Sequence, residues 1–317
     1  MSGLTVTARI LSRNIKIPFQ NIKSLRIVSS LDSPADSLSA EIAANELYGD
    51  FDHVEAHDGT RLLFSGNIDC QQESVSGKGA LIRLDARSAG ALLLDNQALP
   101  SVLLGVQLGV LFNRCIAPYG FTLFNPNRAV YVPAFTIRAG QSEWDAFVDF
   151  SRRAHGITPH IKGTQVFIRR PGGGVRPVII SNSANGVRYS SITHARTPYN
   201  IISRVILRDE NGQYTLAVRN SAALYTGVTR KRYMIPVEEH FDRMALDANQ
   251  RIRRSMLEYE HVTVTLPGFA DIEPGDDVAI RDEKIQLSNL MVRECELIAD
   301  EHGMITKIKT QSPLYYD

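Results

Sequence analysis

The chain has 317 residues, of which 44% are hydrophobic and 22% charged, and its formal net charge is +1. This composition is typical of a globular protein and excludes a disordered chain, a collagen and a coiled coil. The near-zero net charge disfavours a protein that coats nucleic acid by neutralising its phosphates. At about 150 residues per domain, the length predicts two domains, or one large domain with insertions.

Three cysteines, Cys70, Cys115 and Cys295, occur singly and never in a CxxC spacing. We expect them to be reduced and structural, because such a set builds neither a disulfide framework nor a cysteine-based zinc site. The N-terminal residues alternate between polar and apolar, unlike a signal peptide. No apolar run approaches the roughly 20 residues of a membrane helix. The sequence therefore predicts a soluble protein without membrane insertion, made in a cytoplasm.

The first ninety residues show the period-two alternation of antiparallel strands. Apolar residues alternate from Leu4 to Ile10, and Pro34 interrupts a later run. Residues 50–61 predict a short strand that ends in the Asp58-Gly59 turn, and residues 62–70 and 80–86 flank a glycine-containing hairpin loop at 76–79. The pattern is that of a β-meander.

The periodicity becomes helical after Arg87. One helix is predicted from five apolar residues at helical spacing: Leu104, Leu108, Leu111, Phe112 and Cys115. A second helix is predicted to begin after Ser142, with Asp145 three residues later as a capping box, and to end at Gly156. A short strand follows at 163–170.

Strand patterns return from residue 201. Residues 209–212 (DENG) lie between two apolar runs, which predicts a hairpin. Residues 242–259 predict a third helix with the apolar stripe Ala245, Ala248, Ile252, Met256 and Tyr259. Four strands are predicted to close the chain, at residues 261–266, 277–281, 287–297 and 306–310.

The sequence pattern at the end of the first β region recurs at the end of the second. An offset of 224 residues places Asp52 on Asp276 and continues without a gap to Ser88 and Ser312. The turn at 58 meets the turn at 282, and the hairpin glycine at 79 meets that at 303, with apolar alternation in phase between them. We interpret this recurrence as an internal duplication. The alternative is two β domains that merely share a meander pattern.

Several short motifs, in order along most of the chain, resemble one family. The C-terminal segments are 264–269 (VTLPGF), 272–278 (IEPGDDV), 290–292 (LMV), 300–308 (DEHGMITKI) and 312–313 (SP). The earlier segments are 31–38 (LDSPADSL) and 140–147 (GQSEWDAF), and the helix at 242–259 also fits. Together they resemble the baseplate hub proteins of Mu-like contractile-tailed phages, a family that includes the late-control-D hubs and the head of the VgrG spike.

The resemblance implies a mainly β fold with an α+β insertion, in which two similar tube-type β-barrel domains flank a smaller helix-containing middle region. The expected domains are a first barrel at 1–98, an inserted α/β region at 99–184 and a second barrel at 185–317. Residues 134–170 of the insertion are similar to LysM peptidoglycan-binding modules.

The resemblance also implies a function. Three chains would present six barrels in a ring, so that a homotrimeric, non-enzymatic hub joins a six-fold tail tube to a three-fold spike. The implied partners are the tail tube protein and the central spike protein, with the tape measure and baseplate wedge proteins as further candidates. The implied location is the baseplate of the virion tail, assembled in the cytoplasm of a bacterial host, and no specific nucleic-acid binding is expected.

Two clusters have residue types that bind metals. His53, Glu55 and His57 alternate along a predicted strand and would share one face. Residues 238–240 (EEH) form a similar cluster. Neither has the helical HExxH spacing of metalloproteases, and a solvated or interface-facing polar surface is the favoured interpretation of both. We therefore assign no catalytic, cofactor-binding or metal site.

Other charged and glycine-rich segments have weaker functional interpretations. The loop at 172–174 has Arg169, Arg170 and Arg176 nearby but lacks the lysine and following helix of a phosphate-binding loop, so a flexible connection is favoured. Two basic clusters, at residues 230–232 and at Arg251, Arg253 and Arg254, are interpreted as salt-bridged or solvated surface.

Two alternative functions stay open at this point. A tail protein that degrades the cell wall would need carboxylates or a metal in a cleft. A protein that binds peptidoglycan would use the LysM-like segment. The VgrG branch of the family is a closer alternative, but the sequence ends at Asp317 without the β-prism of a VgrG spike, which favours a free-standing hub.

Overall fold

The structure is a computed structural model that describes residues 3–77, 79–124, 130–169, 171–172, 176–183, 185–235 and 244–315. The chain begins with antiparallel strands in which Leu4, Val6 and Ala8 are buried and the intervening side chains are partly exposed, as the alternation predicts. The seven strands of this region are β1 (Leu4–Ile10), β2 (Ile15–Phe19), β3 (Ile22–Ser30), β4 (Ser37–Ala44), β5 (Phe51–Asp58), β6 (Arg61–Ser76) and β7 (Gly79–Arg87).

A middle region of helices and short strands follows and has its own apolar core. Helix α3 begins after Ser142, whose side chain accepts a hydrogen bond from the Asp145 amide, and it ends at Gly156 in the left-handed conformation, as predicted. The elements are α1 (Ala91–Asp95), β8 (Ser101–Gln107), α2 (Leu108–Cys115), β9 (Thr122–Phe124), β10 (Tyr131–Ile137), α3 (Glu143–His155), β11 (His160–Lys162) and β12 (Gln165–Phe167).

One predicted helix begins later than expected. The spacing from Leu108 predicts that Leu104 belongs to the helix, but Leu104 lies on strand β8 and is 79% exposed, and the helix begins at Leu108. Strand β8 pairs with β10, where Leu104 lies opposite Ala134. An i, i+4 pair of leucines cannot distinguish a helix from a strand that runs into a helix, and here the long-range pairing with β10 determines the conformation.

The C-terminal part returns to strands, with one helix. Strands β15, β16 and β17 form a small separate sheet against which α4 packs through Ala248 and Ile252, whereas Ala245 of the predicted stripe is exposed. Residues 242–243 of the predicted helix lie outside the described residues. The elements are β13 (Val178–Ile180), β14 (Ser191–Arg196), β15 (Arg204–Leu207), β16 (Leu216–Arg219), β17 (Lys231–Met234), α4 (Met244–Leu257), β18 (Glu260–Pro267), β19 (Asp277–Arg281), β20 (Gln286–Asp300) and β21 (Gly303–Gln311).

Most strands from both ends of the chain belong to one sheet. Its order is β14-β18-β21-β20-β3-β4-β7-β6-β5-β1-β2, and β19 joins β20 to β13. Two separate apolar cores line it, one from the N-terminal strands together with the end of β20, and one from the C-terminal strands. The mainly β fold with a helix-containing middle region is therefore confirmed.

The predicted repeat is present in the hydrogen-bonding register. At the offset of 224 residues, strands β5, β6 and β7 correspond to β19, β20 and β21. Gln71 lies opposite Leu84 just as Cys295 lies opposite Ile308. Even the register shift in β6 just before these pairs recurs in β20 at the same relative position. Because β-bulges are specific local features of a strand pair, this recurrence confirms the duplication over these strands.

The repeat extends to two further strands. Leu38 of β4 lies opposite Ala86, and Val262 of β18 lies opposite Thr310, so the same offset holds for β4 and β18. Strand β14 is the equivalent of β3, at an offset of 167 residues. Ile192 of β14 lies opposite Val264, and Leu25 of β3 lies opposite Ala40, the residue equivalent to Val264. The difference between the offsets is the excursion that contains β15–β17 and α4. Each repeat thus has five equivalent strands.

The equivalence of the two repeats does not extend to β1 and β13, the strands that pair with the outer edges of β5 and β19. Strand β1 is antiparallel to β5, whereas β13 is parallel to β19, because the chain enters the second repeat from the middle region. Among the described residues the pairings form an open path, so barrel closure stays a prediction. The domain limits also stay a prediction. Leu93, inside the predicted first domain, packs in the core of the middle region, and Ile180, inside the predicted insertion, packs in the core of the C-terminal strands.

Gly90 makes the closest contact of any glycine in the described chain. A Cβ atom there would lie 1.9 Å from the Pro34 carbonyl oxygen, although the backbone itself, with φ −59°, accepts any residue. We expect Gly90→Ala to lower the free energy of unfolding by about 1–3 kcal/mol through overpacking. Urea titration measures it, with Gly77→Ala as the control, because nothing lies within 4 Å of a Cβ atom at Gly77. Equal midpoints for the two variants would contradict the prediction.

Candidate functional site

The predicted cluster on β5 lies on one face of the strand, and other side chains satisfy its polar atoms. The two ring nitrogens of His53 lie 3.1 Å from the Ser65 hydroxyl and 3.2 Å from the Asn67 amide oxygen. Lys16 donates to both carboxylate oxygens of Glu55 at 3.1 Å. His57 is half-buried on the same face. Across the described ranges, no group of three His, Cys, Asp or Glu side chains is arranged to hold a metal ion.

The remaining predicted candidates are dispersed. Residues 238–240 lie outside the described residues, as do Arg170 and residues 173–174 of the glycine-rich loop. Arg169 stacks over the rings of Phe124 and Phe167, with its guanidinium carbon 5.5 and 5.2 Å from the ring centroids. Its charge therefore lies against aromatic rings of the middle region.

The two basic clusters lie on separate elements. Arg230 stacks over Tyr199 at 4.0 Å next to β17, which carries Lys231 and Arg232. Arg251 and Arg254 are exposed on α4. The described structure contains no helix long and apolar enough to cross a membrane.

A shallow cavity lies in the middle region. Its lining includes Gln107, Phe112, Asn113 and Phe121, and none of the lining residues in the described part of the chain has an ionisable side chain. A hydrolytic site needs a general acid, a general base or a metal.

The feature with the clearest structural consequence is the seam between the two repeats. Strand β20 of the second repeat pairs antiparallel with β3 of the first, and Leu297 lies opposite Ile27. Leu297 and Ala299 enter the N-terminal core together with Leu25 and Ile27. The seam therefore joins the repeats by backbone hydrogen bonds and by a shared apolar core.

Polar contacts cover the other face of the seam. Arg26 donates to Glu296 at 2.5 Å, and Arg293 pairs with Asp32. Burial raises the pKa of the Cys295 thiol to about 12, and nearby carboxylates add to the effect. Because a thiol reacts as its thiolate, this raised pKa disfavours reaction of Cys295 near neutral pH. Its side chain packs against the apolar core of the C-terminal strands.

The end strand β14 carries charged side chains along an edge without a partner strand in the described chain. His194 and Arg196 contact the Glu260 carboxylate at 2.7 and 3.0 Å. Burial disfavours the charged carboxylate, but these two hydrogen bonds outweigh that effect and lower the pKa of Glu260. These contacts add to the pairing of β14 with β18, and the other edge of β14 has no partner strand among the described residues.

Large apolar side chains are exposed at two further places. Tyr199, Leu224 and Tyr225 are 75%, 82% and 91% exposed next to β14 and the small sheet, and Leu99 and Leu104 are 69% and 79% exposed in the middle region. Contiguous exposed apolar patches are typical of interaction surfaces, whereas single exposed apolar side chains are common. The sequence pattern does not identify the seam or these surfaces, because apolar periodicity does not show which strand edge remains unpaired.

The fold of this chain is similar to that of phage tail proteins of known structure. No protein-family model matches the sequence, and no curated protein matches it either. Among solved structures, the fold is shared with tail proteins, one of them from a prophage, and with a component of the type VI secretion system. The sequence identities are low, so the likeness establishes the fold.

Three of these structures illustrate the extent of the likeness. The 43 kDa tail protein of prophage MuSo2 from Shewanella oneidensis superposes with a TM-score of 0.81 at 14% identity, over 99% of this chain and 100% of that one. A tail protein from Neisseria meningitidis gives 0.77 at 17% identity, over 99% and 100%. The E. coli c3393 protein, a type VI secretion component, gives 0.57 at 9% identity, over 92% and 73%.

Proposed function

We propose that this protein is the structural hub of the baseplate of a contractile phage tail or a related injection system. The observation that carries the proposal is the repeat: one chain contains two copies of the same five-stranded unit, joined by a seam. Three chains then supply six copies of the unit. Such a homotrimer has six similar units for a six-fold tail tube and three chains for a three-fold spike.

The proposed role requires a rigid assembly and no catalysis. The hub binds the tail tube protein on one side and the central spike protein on the other, with the tape measure and baseplate wedge proteins as further candidate partners. It resides in the virion baseplate after assembly in the bacterial host cytoplasm, and genome ejection passes through its channel. The fold shared with phage tail proteins over almost the whole chain supports this role.

The proposal predicts a trimer of the purified chain. Sedimentation and native mass measurement over a range of concentrations should show a species of three chains that increases with concentration. An obligate interface of this kind buries on the order of 2,000 Å² or more. A single chain at every concentration, also after addition of the tail tube protein, would overturn the proposed hub.

A further inference from the structure

Among the strands with an open hydrogen-bonding edge in the described chain, two segments are equivalent to the two sides of the seam. Residues 70–75 of β6 pair with β7 on one side only, and β14 pairs only with β18 within the described structure. Cys70, Val75 and Thr193 on these strands are exposed. An open edge of this kind is a template for pairing with another strand.

The seam inside the chain defines which strand fits each open edge. Residues 294–299 of β20 pair with residues 25–30 of β3. In the repeat, residues 70–75 of β6 are equivalent to residues 294–299 of β20. Residues 192–197, in and just after β14, are equivalent to residues 25–30 of β3. Each chain thus contains one complete seam and the two separate halves of a second one.

We propose that residues 70–75 of one chain pair antiparallel with residues 192–197 of the next copy, in the register of the internal seam. That register follows from the two offsets and places Cys70 opposite Thr197, Gln71 opposite Arg196, Gln72 opposite Ala195, Glu73 opposite His194, Ser74 opposite Thr193 and Val75 opposite Ile192. The contact is head-to-tail, so it closes into a ring or continues as a filament. The inference rests on the proposed function for the number of chains in the ring.

The facing side chains are complementary in this register. The Glu73 carboxylate lies opposite His194 and diagonally near Arg196, two basic side chains whose present partner is Glu260. Val75, which is 69% exposed in the single chain, is covered by Ile192. Opposite charges and apolar pairs across an antiparallel ladder both stabilise it.

The new seam is more polar than the internal one. Positions filled by Cys295 and Leu297 in the internal seam are filled by Gln71 and Glu73 in β6, where the Gln71 amide donates to the Glu73 carboxylate at 2.9 Å. An edge that must stay in water until chains meet benefits from charge, because charged edge residues suppress unspecific strand pairing. The internal seam, whose two strands belong to the same chain, is apolar on the face formed by Leu297 and Ile27.

A disulfide tests the register directly. Leu31 donates its amide hydrogen to the Arg293 carbonyl at 2.9 Å, so the next pair, Ser30 and Glu294, is a non-hydrogen-bonded pair. Cα atoms in such a pair are about 4.5 Å apart, which lies within the range that a disulfide spans. Cys70 and residue 197 are the equivalent pair between chains. In Thr197→Cys we therefore expect covalent dimers and trimers under mild oxidation, which a reductant reverses.

Two controls accompany this variant. Thr193→Cys lies on the same strand face as residue 197 but about 13 Å away, at 3.3 Å per residue, and should form at least tenfold less cross-linked product. Cys70→Ser combined with Thr197→Cys should abolish the product, which excludes cross-links through Cys115 or Cys295. Both threonines are exposed, and thermal melting shows whether each variant keeps the native fold.

The outcomes separate this inference from the proposed function. Cross-linking specific to position 197 supports the seam. A native mass of three chains with no preference for position 197 over position 193 overturns the seam and leaves the trimeric hub intact. A single chain at all concentrations overturns both.

Discussion

Replacing Leu297 by alanine is expected to lower the free energy of unfolding by about 2–5 kcal/mol, the range measured for leucine truncation in protein cores. Leu297 belongs to the C-terminal repeat, yet only 6% of its surface is exposed, because it is buried among N-terminal residues such as Leu25 and Leu84. The substitution leaves a cavity where the two repeats share their apolar core. Its effect is therefore larger than that of truncating a leucine on the surface.

Urea titration of the isolated chain at low concentration measures this loss. Leu224→Ala is the matched control, since the same side-chain atoms are removed from a residue that is 82% exposed, and its expected effect is within about 0.5 kcal/mol. We also expect the Leu297 variant to lose cooperativity, because the seam couples two cores. Similar midpoints for the two variants would show that the seam contributes little to stability.

Acidification is expected to destabilise the middle region through His160. The His160 ring stacks on Phe167, with 5.3 Å between ring centroids, and its Nδ1 atom is buried without a hydrogen-bond partner among the described residues. Burial, with smaller contributions from Arg169 and Lys162, lowers the pKa of His160 to about 4. An unfolded chain has the ordinary histidine pKa of about 6.5.

The direction of the pH dependence follows from these two pKa values. Between about pH 6.5 and 4 the unfolded chain binds a proton that the folded chain excludes, so stability is complete above about pH 6.5 and decreases as the pH falls toward 4. The full difference corresponds to about 3 kcal/mol at 1.36 kcal/mol per pKa unit. Below about pH 4 this contribution causes no further loss.

Unfolding free energies at pH 7.5 and pH 4.5 test this prediction. His160→Phe retains a ring against Phe167 but cannot be protonated, so it should lose about 2–3 kcal/mol less than the wild type over this interval. His302→Gln is the control, because the His302 side chain is 83% exposed, and it should behave as the wild type does. The same pH dependence in all three proteins would exclude His160 as the cause.

Much of the sheet can be predicted from the sequence, because its signals are local. Alternating apolar residues and glycine turns indicate β5, β6 and β7, and the repeat offset alone locates their counterparts β19–β21. Capping by Ser142 and termination by Gly156 determine the ends of α3. These features depend on contacts within a few residues or on a hairpin.

The features that define the candidate interface depend on distant contacts and could not be predicted in this way. The pairing of β20 with β3 joins residues far apart in the chain, such as Arg26 and Glu296, which are separated by 270 positions. For the same reason, the apolar spacing predicts a helix at Leu104 although this residue lies in strand β8: the partner strand β10 follows only after an intervening helix. The predicted histidine and glutamate cluster on β5 is identifiable from the sequence only as a shared strand face, because its polar partners lie on neighbouring strands.

Electron microscopy of the purified oligomer, viewed along its axis, tests most directly whether two repeats per chain build a hub. The proposed assembly predicts a ring around an open channel with six similar lobes, contributed by three chains. A ring with three lobes, or a compact particle without a channel, would contradict it.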